Sequence, residues 1–170
     1  LETAKRNFFH RRSPVRCDNF TRFCRHNADW LDDFGLFMAI KDAFNDQPWS
    51  AWPESLRRHQ QDAIAAWRQT HAEQCDLYKY QQYVFYEQWQ KLKRYANNKG
   101  IRIFGDIPIF VAYDSADVWA NQHLFQLDAE GMPLAVAGVP PDYFSNTGQR
   151  WGNPLYNWQV HLAEDFHWWT

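Results

Sequence analysis

No window of this 170-residue sequence holds the roughly 18 consecutive apolar residues that a membrane-spanning helix requires, so no membrane partner is expected. Charge of one sign is equally scarce. The 18 Lys and Arg against 20 Asp and Glu leave a formal net charge of −2, spread along the chain, and a nucleic-acid partner would want a basic stripe. Cysteine is rare and odd in number: Cys17, Cys24 and Cys75 lack the paired Cys/His spacing of a zinc site, so no metal is read. They read as reduced thiols of a cytoplasmic protein. No signal peptide opens the chain, and no internal repeat recurs.

What is present is mostly helical period and aromatic rings. Phe8-Phe9 stands among basic residues, and Ser13-Pro14 reads as a break. From Asp18, a plausible N-cap, the apolar positions Phe20, Phe23, Cys24, Trp30, Leu31, Phe34, Phe37, Met38 and Phe44 recur at helical spacing, as one long helix or two joined near Asn27. Asp29, Asp32 and Asp33 read as a solvated face or as partners for Arg22 and Arg25. Asn45-Asp46-Gln47-Pro48 breaks the pattern, and Trp49, Trp52 and Pro53 read as a short aromatic linker. Pro53 fits the first turn of a helix whose buried stripe runs Leu56, Ala63, Ile64, Trp67, His71 and Cys75, with His59 on the surface. The next helix turns Leu77, Tyr80, Val84, Phe85, Trp89, Leu92 and Tyr95 inward and ends at Gly100, a good residue just past a helix end.

Ile101-Arg102-Ile103-Phe104-Gly105-Asp106 then reads as a strand with Asp106 at its carboxyl end, and helix feeding strand is the step of a parallel sheet. Asp114 to Asp117 reads as an N-cap and an acidic first turn, with Asp114 as the cap. Phe125–Leu127 and Leu134–Ala137 flank a hairpin turn in which Gly131 takes the left-handed position. After Pro154, the residues Trp158, Val160, Leu162, Phe166, Trp168 and Trp169 read as an incoming helix.

Residues 138–158, GVPPDYFSNTGQRWGNPLYNW, keep neither helix nor strand period. Pro140 and Pro141 stiffen the entry, while Gly148 and Gly152 supply backbone freedom around Trp151. Tyr143, Phe144, Trp151, Tyr156 and Trp158 alternate with Asp142, Asn146, Gln149, Arg150 and Asn153. Rings beside amides suit a sugar, whose apolar face stacks while its hydroxyls meet planar amides and acids. The other reading is a loop that tucks its rings into the core, and composition alone does not separate the two. Asp142, after two prolines, reads most simply as bonded to its own turn.

The run Ala137-Gly138-Val139-Pro140-Pro141-Asp142-Tyr143-Phe144-Ser145, with Gly148-Gln149 and Trp151-Gly152-Asn153-Pro154-Leu155-Tyr156, resembles the signature loop of the 4-α-glucanotransferases, the amylomaltases or disproportionating enzymes of glycoside hydrolase family 77. The block Gly105–Ala112 and Asp114–Trp119 resembles the same family, and the helix ADWLDDFGLFMAIK does so more diffusely. The resemblance implies an α/β class: part of a (β/α)8 TIM barrel with a helical insertion and a long aromatic substrate-binding loop. Residues 1–99 are then mainly helical, and residues 100–170 hold a barrel strand, the hairpin, the lid loop 138–158 and the next helix. A complete barrel typically takes about 250 residues, so the chain is expected to be a fragment.

The activity implied is transfer of α-1,4-glucan segments between maltooligosaccharides, starch or glycogen chains. Substrate-side roles fall on Asp106, Tyr143, Phe144, Gln149, Trp151 and Asn153. The family's nucleophile and acid/base are expected beyond Thr170, so no catalytic residue is assigned, and no cofactor is implied. Partners are the glucan or maltooligosaccharide and the remainder of the same barrel. The rival readings are a non-catalytic α-glucan-binding module and a purely structural piece.

Overall fold

The computed structural model describes Thr3 and residues 14–170; Phe8, Phe9 and Ser13 lie outside the described residues. Its elements are α1 (Pro14–His26), α2 (Ala28–Ala43), a 3-10 turn (Trp49–Ala51), α3 (Glu54–Arg57), α4 (Gln61–Thr70), α5 (Ala72–Asn98), α6 (Ala116–Ala120), β1 (Val136–Val139), β2 (Gln149–Pro154) and α7 (Trp158–Ala163), with 3-10 turns at Gln122–Leu124 and His167–Trp169. They form two compact units, one of Leu1–Ala43 with Ala65–Ile107 and one of Phe44–Ile64 with Pro108–Thr170.

The first unit is helical. Pro14 begins α1, because its fixed φ suits the first helical position, where its missing N–H leaves no bond unmade; the Ser13 side of the expected break lies outside the described residues. Asp18 accordingly lies inside the helix rather than capping it. The joint near Asn27 is real, and Asn27 fills it with its own side chain. Its amide donates to the Phe23 carbonyl at 2.8 Å and its oxygen accepts from Trp30 Nε1 at 3.3 Å. Helix α2 buries Leu31, Leu36, Phe37, Ala39 and Ile40, while α5 buries Cys75, Leu77, Tyr80 and Tyr83. Each large apolar side chain so buried contributes about 1.5–3 kcal/mol.

Asp32, Asp33 and Asp42 of α2 have partners other than Arg22 and Arg25. Asp32 pairs with Lys79, Asp33 with Arg68 at 3.2 Å, and Asp42 accepts from Gln74 Nε2 at 2.6 Å and Tyr78 Oη at 2.7 Å. Sequence spacing shows only same-helix neighbours, and these are cross-helix clamps. At the end of α5, the N–H of Gly100 bonds Asn97 O at 2.9 Å and that of Ile101 bonds Ala96 O at 3.0 Å, the two closing bonds of a Schellman cap. The inward stripe assigned to α5 fails at its far end. Phe85, Leu92 and Tyr95 are exposed, as are Ile101, Ile103, Phe104 and Ile107.

The expected strand Ile101–Asp106 is absent: the stretch carries no ladder. A strand exists only through a hydrogen-bonded neighbour, and no described residue supplies one. The sheet that does form is two-stranded and antiparallel, β1 against β2.

In the second unit the aromatic linker proves to be core. Trp49 and Trp52 are buried, and Trp49 Nε1 donates to Tyr113 O at 2.7 Å. Trp119 lies edge-on to Trp52 at 5.6 Å and donates to Leu56 O at 2.8 Å. The single helix expected after Pro53 breaks into α3, α4 and α5. His59 takes a left-handed φ of 49° between α3 and α4 and sets its ring 4.4 Å from that of Trp119, half-buried rather than on the surface. A tertiary ring contact outweighs helix continuation there. The expected cap Asp114 is corrected to Ser115, whose Oγ accepts from Val118 N at 3.3 Å, while Asp114 Oδ1 accepts from Trp49 N at 3.2 Å. After α7, left-handed Asp165 and Phe166 end the expected long helix. Among the described residues no helix is long and apolar enough to cross a membrane.

Candidate functional site

The loop is a hairpin. Residues 136–139 pair with 149–154 in the register Val136 with Pro154, Gly138 with Arg150 and Val139 with Gln149, bulged between Val136 and Gly138. Pro140 and Pro141 then end the ladder, since neither has an N–H to give. Strand period was invisible in the sequence because both strands are short, bulged and interrupted by glycine. The expected turn at Asp128–Pro133 is present, with Gly131 at φ 81° and a single bridge between Leu127 and Pro133.

The tip, residues 140–148, is fixed by its own polar groups. Asp142 Oδ1 accepts from Phe144 N at 2.9 Å and Ser145 N at 2.8 Å, so Asp142 does bond its own turn. Ser145 Oγ donates to Gly148 O at 2.8 Å, and Asp142 N to Ser145 O at 2.9 Å. Two glycines allow the strands to close. A Cβ on Gly138 would lie 2.5 Å from Gln149 O, and one on Gly148, at φ 74°, would lie 2.6 Å from Val139 O. On this ordered backbone Tyr143 and Phe144 stand 95% and 87% exposed, edge to face at 5.6 Å.

Strand β2 carries the other expected residues of the hairpin. Trp151 is 44% exposed and donates Nε1 to Gln149 Oε1 at 3.0 Å, which leaves the Gln149 amide nitrogen outward. One N–H of Asn153 Nδ2 is committed to Val111 O at 2.8 Å, which leaves its second N–H and its oxygen for a ligand. The rings continue inward from Trp151. Phe110 meets Trp151 edge-on at 6.2 Å and lies parallel to Tyr156 at 5.9 Å, an interplanar angle of 13°. Tyr156 is buried among Phe125, His161, Trp168 and Trp169. Burial, with the Asp117 charge as the lesser cause, pushes its phenol up.

The structure thus brings together Gln149, Trp151 and Asn153 on one strand and Tyr143 with Phe144 at the tip. Asp106 belongs to the helical unit, exposed in the unpaired stretch after Gly100. Sequence reasoning passed over Phe110 and Ser145, whose contacts are tertiary or lie within the turn. Among the described residues no group of three or more His, Cys, Asp or Glu could hold a metal ion.

Residues 1–170 match the 4-alpha-glucanotransferase family of glycoside hydrolases, family 77. The chain is 48% identical over 169 residues to the 4-alpha-glucanotransferase of Thermus thermophilus, a match covering 99% of this chain and 34% of that one. The chloroplastic/amyloplastic 4-alpha-glucanotransferase of Solanum tuberosum is 46% identical over 143 residues, which are 84% of this chain and 25% of that one. Among solved structures, an amylomaltase from Streptococcus agalactiae in complex with acarbose superposes with a TM-score of 0.91 at 43% identity, covering 99% of this chain and 34% of that one. The chain therefore spans about a third of the length of the Thermus and Streptococcus relatives.

Proposed function

The chain belongs to glycoside hydrolase family 77, the 4-alpha-glucanotransferases, and from that we propose that the whole protein transfers α-1,4-glucan segments between maltooligosaccharides, starch or glycogen chains. The observation that carries the reading is the hairpin: two nearly naked rings held on a tip whose turns are fastened by Asp142 and Ser145. Rings left in water cost free energy unless a ligand covers them, and a prefixed backbone reduces the ordering cost when one does.

The chemistry consistent with this is a retaining double displacement. One carboxylate attacks the anomeric carbon to form a glycosyl-enzyme as a second carboxyl group, about 5–5.5 Å away, protonates the leaving oxygen; that second group then takes the proton of the incoming 4-hydroxyl, whose oxygen bonds the anomeric carbon and releases the first carboxylate. We assign these two carboxylates to parts of the protein outside residues 1–170. In this reading Asp106 binds hydroxyls at the cleaved unit. Trp151, Gln149 and Asn153 bind neighbouring units, and Tyr143 with Phe144 closes over the acceptor so that a sugar hydroxyl outcompetes water.

The unpaired, apolar run Ile101–Phe104 supports its assignment as one strand of a (β/α)8 barrel completed by the remainder of the protein, with Asp106 on the rim where such barrels mount their chemistry. By kind of element, residues 1–99 are then the mainly helical segment, a barrel helix with a helical subdomain, and residues 100–170 the barrel strand, hairpin, lid loop 138–158 and start of the next helix. We place the protein in the cytoplasm; the name of the potato relative offers a plastid as the alternative.

The test is disproportionation of maltotriose by the full-length protein. Glucose together with a ladder of longer maltooligosaccharides is expected. Unchanged maltotriose, with binding retained, would leave a glucan-binding module instead, and hydrolysis without longer products would exclude the transferase. Residues 1–170 alone are expected to show no transfer.

A further inference from the structure

We propose that Phe110 is a positioning residue for sugar binding, holding the exposed ring of Trp151 against the buried ring of Tyr156; the proposal rests on the transferase reading of the same hairpin. Trp151 is the half-exposed ring of β2, and a ring offered to a ligand works only if its plane is fixed before the ligand arrives. One edge is fixed by Gln149, through the 3.0 Å bond from the indole N–H. On another side stands Phe110, edge-on at 6.2 Å.

Phe110 is itself anchored twice. Its other ring partner is Tyr156, parallel at 5.9 Å, which is 2% exposed and packed by Phe125, His161, Trp168 and Trp169. Its backbone neighbour Val111 accepts the Asn153 amide at 2.8 Å, two residues along β2 from Trp151. The segment holding Phe110 is thus fastened to β2 at Trp151 and at Asn153, and to the core at Tyr156. Rigidity passes from the buried cluster through one phenyl ring to the surface indole. Nothing in this scheme requires Phe110 to touch the sugar.

The test is a double-mutant cycle in the full-length protein, using Phe110→Ala, Trp151→Ala and the pair, with kcat and KM for maltotriose and the thermal midpoint as readouts. Because the indole contributes to binding in ground and transition states alike, Phe110→Ala is expected to raise KM about fivefold with kcat within about twofold. In the Trp151→Ala background the same change should then have little further effect on KM, because coupled residues are not additive. Phe110→Tyr should restore wild-type KM. Should Phe110→Ala fail to fold, Phe110→Leu carries the cycle, since it fills similar volume without a flat ring. Full additivity with Trp151→Ala would overturn the proposal, as would a fall in thermal midpoint with KM unchanged. If instead the wild-type protein makes no longer products from maltotriose, it is the transferase reading that fails.

Discussion

The indole N–H of Trp151 donates to the side-chain oxygen of Gln149, 3.0 Å away and two residues earlier on the same strand. The bond uses the acceptor end of the amide and leaves its donor end outward, so ring and amide form one fixed unit. Trp151→Ala in the full-length protein is expected to raise KM for maltotriose about tenfold, equivalent to about 1.4 kcal/mol of lost binding. Gln149→Ala should reproduce part of that rise. Both leave the thermal midpoint nearly unchanged because the ring is half in solvent. Steady-state kinetics beside a melting curve checks the pair.

Tyr143 and Phe144 give a sharper separation of function from stability. Their rings are almost wholly exposed, while the backbone beneath them is held by Asp142 and Ser145. Replacing both by Ala should change stability by less than about 0.5 kcal/mol, as for surface sites generally. On the proposed lid role, the ratio of transfer to hydrolysis should nevertheless fall, because less of the acceptor is shielded from water. Product analysis that found an unaltered ratio would remove the lid role.

Much of this was legible in the residues, and where it was not the cause is physical. Helical period announced α2 and most of α5, Asn27 marked the joint, and Gly100 marked the helix end. Asp142 was readable as self-bonded because an Asx turn is local. Strand β2 was not readable, since its pairing with Val136–Val139 lies across a nine-residue tip and its own sequence holds Gly and Asn. Local pattern also misjudged the role of Trp49 and Trp52, which short spacing presents as a linker and long-range packing makes a core. Among the proposed sugar-binding residues, chemical type was readable but commitment was not. Only the structure shows one N–H of Asn153 already committed to Val111.

Asp114 and Ser115 exchanged their expected roles, and stability measurements distinguish them. Ser115→Ala removes the cap of α6 and should cost about 1 kcal/mol. Asp114→Ala withdraws the acceptor from the N–H of the fully buried Trp49 and should cost about 1–3 kcal/mol, the range for a buried donor left unmade. Urea unfolding would rank them in that order. Equal costs would mean that Trp49 finds another acceptor.

The thiols make a pH-dependent prediction. Cys75 is buried and Cys24 half-buried, and desolvation is the chief cause raising both, opposed by Lys79 and aided by Asp76. A raised thiol pKa means the folded state holds the proton more tightly than the unfolded one. The associated stability is fully present below the ordinary thiol range and declines as pH climbs above it towards the folded values. At pH 8 both should resist alkylation until denaturant is added. Rapid labelling of Cys75 in the native protein would contradict its placement in the core.

The closing of the hairpin depends on two positions where a single methyl group has nowhere to go. At Gly138 a Cβ would meet the backbone oxygen of Gln149 at 2.5 Å, and at Gly148 it would meet that of Val139 at 2.6 Å on a residue already at φ 74°. Neither obstacle is a flexible side-chain end, so relief requires the strands to separate. Gly152 is the control, because its φ of 82° strains an alanine by about 1–2 kcal/mol while no atom lies within 4 Å of the added methyl. Gly138→Ala and Gly148→Ala should therefore each reduce transfer more than Gly152→Ala does, through displacement of Gln149 and the tip rather than through global unfolding. Hydrogen exchange would show it as lost protection at Val139 and neighbouring amides of the ladder while α2 and α5 stay protected. Equal protection in all three variants would mean that the hairpin's pairing does not govern where Tyr143, Phe144 and Trp151 stand.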